Sequence, residues 1–176
     1  VISVNGNTAA LVAKDLAELS EIIPAPLEVN IFHWSKKRVE KIEKWLKKFG
    51  CEVLAAGDAE LEGIDHFRRI VDKRGILKAD VVLVPLEDGD RCEVLKRAGK
   101  KVIAIDLNPL SRTSRAADVT IVDNVVRAIP NMVNLAAEMK YWSKRELKEV
   151  IGRYDNREVL KKAIHGIIDY LERSMP

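Results

Sequence analysis

The chain has 176 residues, 47% of them hydrophobic, and its 30 Lys and Arg residues nearly balance its 27 Asp and Glu residues. This length and apolar content are typical of one globular domain with a full core. No apolar run approaches the roughly 18 residues of a membrane helix, and no charged-then-apolar leader opens the chain, so we expect a cytoplasmic protein without a membrane partner. The net charge of +3 is spread without a basic block, which argues against a nucleic-acid partner.

Short β-branched runs alternate with amphipathic segments along most of the chain. A tight turn at residues 5–7 follows the first run, and Thr8 is placed to cap the next helix. Ser35 caps a strongly amphipathic helix that ends at Gly50. The runs that predict strands occupy residues 1–4, 27–32, 51–54, 79–85, 102–105 and 119–122. This alternation predicts a Rossmann-like three-layer αβα domain with a mostly parallel sheet over residues 1–140.

Two regions depart from this alternation. Residues 56–78 are the least regular, and we predict a loop there with at most a short helix over residues 66–71. The end of the chain is wholly helical in pattern, with capping-box signals that begin at Ser143 and Asp155. Residues 141–176 therefore predict a C-terminal helical hairpin, which packs on the sheet domain or on a partner subunit.

Polar residues gather at the points where the predicted strands end. If the strands are parallel, these residues converge on one edge of the sheet, where ligands of open α/β sheets bind. Each of them alone is explained by an ordinary turn or helix cap, and only their convergence favours a site. The residues concerned are Asn5, Asn7, His33, Glu87, Asp88, Asp90, Asp106, Asn108, Asp123 and Asn124.

Cationic side chains in the same region indicate an anionic ligand. Arg112 and Arg115 follow the fifth predicted strand, and planar guanidinium groups suit phosphate or carboxylate. The hydroxyl groups of Ser111 and Thr113 add donors. Because the nearby acids would repel such a ligand unless Mg²⁺ lay between them, a nucleoside triphosphate with its magnesium satisfies both demands.

Several common chemistries have no signature in this chain. The first turn is Asn-Gly-Asn rather than G-x-G-x-x-G, and no P-loop is present. Cys51 and Cys92 form no C-x-x-C pattern, so no disulfide is expected, and with three histidines they give no metal-ligand spacing. The metal ligands are therefore left unassigned.

Long motifs resemble one enzyme family. Residues 79–91, 99–113 and 119–128 closely resemble the archaeal 4-phosphopantoate–β-alanine ligases, also called phosphopantothenate synthetases, and residues 3–7 and 28–32 fit them too. The resemblance implies an enzyme of coenzyme A synthesis that works as a homodimer. Such an enzyme joins 4-phosphopantoate to β-alanine through an acyl-adenylate, while ATP is converted to AMP and pyrophosphate.

The expected site residues come from three sources: the charges of the reaction for the acids, the polar strand ends for the substrate residues, and the resemblance for the ATP residues. Asp88 or Asp90 is expected to hold Mg²⁺ or to accept a proton from the β-alanine amine, and the choice between these roles stays open. As substrate-binding residues we expect Asn5, Asn7 and His33. The residues expected to bind ATP are Asp106, Leu107, Asn108, Arg112, Thr113, Asn124 and Val125.

Two departures from the family pattern bear on these expectations. Members of the family carry a mostly helical segment before the first strand that supplies basic residues to the nucleotide, so we expect a missing upstream segment on which activity depends. Cys92 stands where the pattern has Thr. One alternative is a non-catalytic regulatory domain that binds a nucleotide in the same crevice. Another is a plain dimerisation domain, which would bind no ATP.

Overall fold

A computed structural model describes residues 1–64 and 66–175, and these contain eight strands. In chain order the strands are β1 (Ile2–Val4), β2 (Leu27–Val29), β3 (Val53–Leu54), β4 (Ala59–Glu60), β5 (Ile70–Val71), β6 (Val81–Pro85), β7 (Lys101–Ile105) and β8 (Val119–Ile121). Six of them form one sheet in the order β3-β2-β1-β6-β7-β8, and all of its neighbours are parallel. The strand order reverses between β1 and β6. This is the switch point of a Rossmann-like sheet.

Helices cover both faces of this sheet. They are α1 (Gly6–Leu11), α2 (Ala13–Ile22), α3 (Lys36–Leu46), α4 (Gly89–Arg97), α5 (Arg112–Ala116), α6 (Val125–Met139), α7 (Lys144–Arg153) and α8 (Asn156–Ser174). Short 3₁₀ helices occupy Lys47–Phe49 and Phe67–Arg69. In the described part of the chain, no helix is long and apolar enough to cross a membrane.

The core has two halves, one on each face of the sheet. Leu83 of β6 and Ile105 of β7 pack with α2, α3 and α6 on one face. Val82 and Val84 lie on the other face with α4 and with buried residues of the 61–76 segment. Because successive side chains of a strand alternate between faces, an uninterrupted apolar run in β6 supplies both halves of the core. The predicted three-layer αβα fold is confirmed.

Local details differ from the sequence expectations. Asn5, not Thr8, is the N-cap of α1. Thr8 is the third residue of the helix, and its hydroxyl oxygen accepts from the Asn5 backbone amide at 3.0 Å, which completes a capping box. The helix predicted after it breaks at Val12, whose φ is −140°. Residues 56–78 contain the antiparallel β4–β5 hairpin, which was not expected, and only a 3₁₀ turn where a short helix was predicted.

The C-terminal segment forms two helices that begin where the capping signals predict. The Ser143–Glu146 capping box is present, and Asp155 caps α8. The Tyr154 hydroxyl accepts from the Thr120 amide of β8 at 2.9 Å, and Asn156 Nδ2 donates to the Ser114 carbonyl at 3.0 Å. These contacts attach the start of α8 to the sheet domain. The division into domains at residue 140 stays a prediction. Cys51 and Cys92 are buried free thiols.

Candidate functional site

The parallel sheet brings the predicted polar residues to one edge. Asn5 follows β1, Asp88 follows β6, Asp106 follows β7 and Asn124 follows β8, each just past the carboxyl end of its strand. Since these four strands are adjacent and parallel, their ends lie side by side. This edge, with the switch point at its centre, is the candidate site.

The side chain of Asn5 connects the two sides of the switch point. Its Oδ1 accepts from the backbone amides of Asn7 and Thr8 at 3.0 and 3.1 Å. Its Nδ2 donates to the carbonyl oxygens of Pro85 and Leu86, at 3.2 and 3.1 Å. The amide group of Asn5 is therefore occupied in joining the end of β1 to the end of β6.

The other two predicted substrate residues are exposed. Asn7 lies on the surface in the first turn of α1. His33 lies beyond β2, where its ring meets the Phe32 ring edge-on at a centroid distance of 5.0 Å. Trp34 and Phe67 stack nearby, with centroids 6.2 Å apart. These side chains form an exposed aromatic surface beyond the end of β2.

Asp88 belongs to a buried ionic network that the sequence analysis did not anticipate. Its Oδ1 accepts from the Arg91 amide at 3.0 Å as the N-cap of α4, and its Oδ2 accepts from Arg68 Nη1. Glu87 pairs with Arg68 through Oε1 and with Arg91 through Oε2. Arg91 also donates to the Ser3 hydroxyl of β1 at 3.0 Å. The network thus connects β1, the end of β6, α4 and the 3₁₀ helix.

Both arginines of the network are deeply buried. Arg91 is 0% exposed and Arg68 8% exposed. Burial lowers the pKa of Arg91 to about 10 and lowers the pKa of Arg68, but Arg91 keeps its proton at neutral pH. Taking charges out of water costs several kcal/mol per ion, which the Glu87 and Asp88 carboxylates offset. The i,i+4 spacing of Glu87 and Arg91 was the one sequence signal for this network. Arg68 gave none, because it lies in the irregular segment.

Asp90 and Arg112 form a second, exposed ionic group. Arg112 Nη1 lies 2.7 Å from Asp90 Oδ1, and its Nη2 donates to both Glu93 oxygens at 3.1 Å. The hydrogen bonds that Arg112 donates to Glu93 and Asp90 raise the pKa of Arg112. A Cβ at Gly89 would overlap with the Arg112 side chain, so glycine is needed for this approach of α4 to α5. The Arg112 guanidinium is therefore already oriented by two carboxylates.

The β7–α5 loop is held by its own side chains. Asp106 accepts from the Ser111 hydroxyl at 2.6 Å and from the Asn108 amide at 2.9 Å. Asn108 Oδ1 accepts from the Leu110 amide at 2.9 Å. Leu107 is 58% exposed at the tip of the loop. These hydrogen bonds shape the loop, which presents two apolar side chains to solvent, Leu107 and Leu110.

Three other residues that are predicted to bind ATP are less exposed to solvent. Thr113 is buried, and its hydroxyl donates to the Glu87 carbonyl at 3.0 Å. Asn124 caps α6 by accepting from the Val126 amide at 3.0 Å, and Val125 is buried beneath it. The side chains of Thr113 and Val125 are therefore packed beneath the candidate site rather than exposed in it.

The predicted acids do not assemble a magnesium site. Asp88 pairs with Arg68 and Asp90 pairs with Arg112, and a guanidinium group beside each carboxylate repels a divalent cation. Over residues 1–64 and 66–175, no three His, Cys, Asp or Glu side chains come together as metal ligands. These side chains do not fit a magnesium ion held by the protein alone.

The geometry defines a Rossmann-like α/β protein with a polar candidate site at the carboxyl ends of its strands. A family model described as phosphopantothenate/pantothenate synthetase matches residues 1–170. A protein of Thermococcus kodakarensis is 52% identical over 98% of this chain and 67% of its own length. A protein of Methanosarcina mazei is 53% identical over 98% of this chain and 68% of its own length. Both are named 4-phosphopantoate–β-alanine ligase.

This chain belongs to the phosphopantothenate/pantothenate synthetase family. The family that the motifs of residues 79–128 predicted is confirmed, and the relatives come from archaea, as expected. The assignment of individual residues to ATP, substrates and catalysis stays a prediction.

Proposed function

We propose that this chain joins 4-phosphopantoate to β-alanine in an ATP-dependent reaction that yields 4′-phosphopantothenate, AMP and pyrophosphate, a step of coenzyme A biosynthesis. The observation that carries the proposal is 52% identity, over 98% of this chain, with a relative named for this ligation. The polar edge of the sheet supports it, because a crevice at a switch point is where such folds bind phosphorylated ligands.

The reaction has two steps with different electrostatic demands. In the first, a carboxylate oxygen of 4-phosphopantoate attacks the α-phosphorus of ATP, and the bond to pyrophosphate breaks. In the second, the β-alanine amine attacks the acyl carbon, the bond to AMP breaks, and the nitrogen loses a proton. The first step brings two anions together, so the protein must supply positive charge and alignment.

The nucleotide is proposed to bind at the ends of β7 and β8. Asp106 and Asn108 give the loop its shape, and exposed Leu107 offers an apolar contact for the base. Arg112, oriented by Glu93 and Asp90, supplies charge to the phosphates. Asn124 is proposed to complete the site from the cap of α6, with Thr113 and Val125 in supporting positions.

The acid and amine substrates are proposed to bind toward the switch point. Exposed Asn7 and His33 are available for direct contact, whereas Asn5 shapes the crevice because its amide group is occupied. Of the two predicted catalytic acids, Asp88 is the nearer in sequence to the end of β6, and its side chain is 32% exposed. Asp90 is proposed to act through Arg112.

Magnesium and the second subunit complete the proposal. Mg²⁺ would arrive on the phosphates of ATP rather than on a site built by Asp88 and Asp90. A homodimer is supported by apolar side chains that α8 leaves in solvent, where Ile167, Ile168 and Leu171 are 46%, 45% and 48% exposed. We also propose that residues 1–140 form the nucleotide-binding domain and that the hairpin of residues 141–176 is an attachment to it.

A product assay tests the function. The complete protein is incubated with ATP, Mg²⁺, 4-phosphopantoate and β-alanine, and AMP and 4′-phosphopantothenate are quantified by chromatography. We expect both products in equal amounts, and neither when the acid or the amine is omitted. ATP binding without product would contradict the ligase and favour a regulatory nucleotide-binding domain. Absence of both binding and product would leave only a structural role.

A further inference from the structure

Arg68 lies across the switch point of the sheet. Its guanidinium is 5.7 Å from the centroid of the Phe32 ring, which follows β2, and it also pairs with Asp88, which follows β6. In the sheet, β1 is the strand between these two. The Arg68 side chain therefore passes over the carboxyl end of β1, at the centre of the candidate site.

Neighbouring residues contact both the backbone and the side chain of Arg68. The Arg68 carbonyl accepts from Asn30 Nδ2 at 3.3 Å, Glu87 pairs with the Arg68 guanidinium, and Arg91 pairs with Glu87. Arg91 in turn donates to Ser3 of β1. Among the described residues, Arg68 Nε is buried without a hydrogen-bond partner. Replacing buried ion pairs by well-packed apolar side chains of similar volume is often neutral or stabilising, so stability alone does not account for this network.

We propose that Arg68 is a positioning residue that fixes the Asp88 carboxylate for the amine-transfer step, an assignment that rests on the proposed ligase function. Each Asp88 oxygen accepts one N–H donor, Arg91 N on Oδ1 and Arg68 Nη1 on Oδ2. A carboxylate oxygen has about two lone pairs, so each retains one toward the crevice. Two fixed donors allow the carboxylate a single orientation.

The charge around Asp88 selects between the two roles that the sequence left open. A guanidinium beside the carboxylate repels Mg²⁺, and it also disfavours the ammonium form of β-alanine relative to the neutral amine that attacks. As the C–N bond forms and the C–O bond to AMP breaks, the proton leaving nitrogen passes to the free lone pair of Asp88. Arg68 thus belongs to the second step and not to adenylate formation.

Two half-reactions separate this role from a general structural one. Exchange of pyrophosphate into ATP in the presence of 4-phosphopantoate reports the first step, and 4′-phosphopantothenate formation at varied β-alanine reports the whole reaction. The variants are Arg68→Lys, which keeps the charge but loses the planar fork, and Arg68→Met, which removes the charge. Arg69→Lys is the matched control, since Arg69 is on the same 3₁₀ helix but pairs with Glu60 at 3.3 Å, away from Asp88.

For Arg68→Lys we expect unchanged exchange and a decrease in kcat for product of about tenfold or more, because a misplaced catalytic group loses rates of this order. Arg68→Met is expected to decrease product formation further, and Arg69→Lys is expected to match wild type in both assays. If Arg68→Lys lost exchange and product formation to the same extent, or lost neither, the assignment of Arg68 as a positioning residue would be wrong, while the proposed ligase function would still stand. A wild-type protein without exchange or product would overturn the proposed function and this assignment with it.

Discussion

Asn5 Nδ2 donates to the Leu86 carbonyl oxygen at 3.1 Å. This hydrogen bond joins the segments that follow β1 and β6, the two strands on either side of the switch point. Leu86 has a positive φ of 56°, a conformation that is common for glycine but that bulky L-residues such as leucine rarely adopt. The hydrogen bond from Asn5 helps to hold this strained turn, from which Glu87 and Asp88 enter the site.

Replacing Asn5 tests this double role. Asn5→Ala removes the cap of α1 and the two bonds to Pro85 and Leu86, so we expect a decrease of about 2–3 kcal/mol in the free energy of unfolding. Chemical denaturation measures it. Asn7→Ala, in the same turn but exposed, is the control and should change stability little. Equal stability of the two variants would show that the bridge across the switch point is unimportant.

Gly75 marks a close approach that no turn requirement explains. A Cβ at this position would overlap with Oε2 of Glu28 and lie 3.0 Å from Leu54 Cδ1. We expect Gly75→Ala to destabilise the chain by about 1–3 kcal/mol, the usual range for overpacking a core. Gly152→Ala is the control, because nothing lies within 4 Å of its Cβ position in α7, and alanine there should be neutral or stabilising. A Gly75→Ala melting temperature equal to wild type would contradict the packing.

Glu28 gives the chain a pH-dependent stability. It is 1% exposed in β2, and its carboxylate accepts from the amides of Asp72 at 3.1 Å and Ile76 at 2.5 Å. Burial raises the pKa of Glu28 from 4.5 to about 7 against these hydrogen bonds. The folded chain therefore binds this proton more tightly than the unfolded chain does. The resulting stability is complete below the unfolded pKa and is lost as the pH rises toward 7.

The variant Glu28→Gln isolates this contribution. Relative to Glu28→Gln, the free energy of unfolding of wild type should fall by about 3 kcal/mol between about pH 4 and about pH 8. Denaturation at a series of pH values measures the difference. Exposed Glu138→Gln serves as the control and should give a flat difference. A flat difference for Glu28→Gln, or one that grows with pH, would be inconsistent with a raised pKa.

The sequence predicted those parts of the fold that local patterns determine. The apolar run of β7 and the Ser143–Glu146 capping box were visible because period and cap chemistry are local. The β4–β5 hairpin was not, since strands of two residues have no period and depend on tertiary contacts. Buried Glu28 was also missed, because a charged residue inside a strand indicates solvent until the covering segment is known.

The candidate site was predictable to a similar extent. Strand-end positions such as Asp88, Asp106 and Asn124 follow from a parallel sheet, and the structure places them on one edge. Arg68 could not be found this way, because its position depends on how an irregular segment folds back over β1. The same segment supplies the guanidinium that pairs with Asp88, for which the sequence had left magnesium binding and proton transfer both open.

Nucleotide binding at the ends of β7 and β8 is the central claim, and titration calorimetry with ATP tests it most directly. The complete protein is compared with Arg112→Ala and with Arg157→Ala. Arg157 is an exposed arginine that lines the groove between α5 and α8, and Arg112 is not among the residues that line this groove. We expect Arg112→Ala to weaken ATP binding by about tenfold or more, since a charge-assisted phosphate contact is lost. Arg157→Ala should bind ATP as wild type does. An unchanged Kd for Arg112→Ala, or a loss confined to Arg157→Ala, would contradict the site.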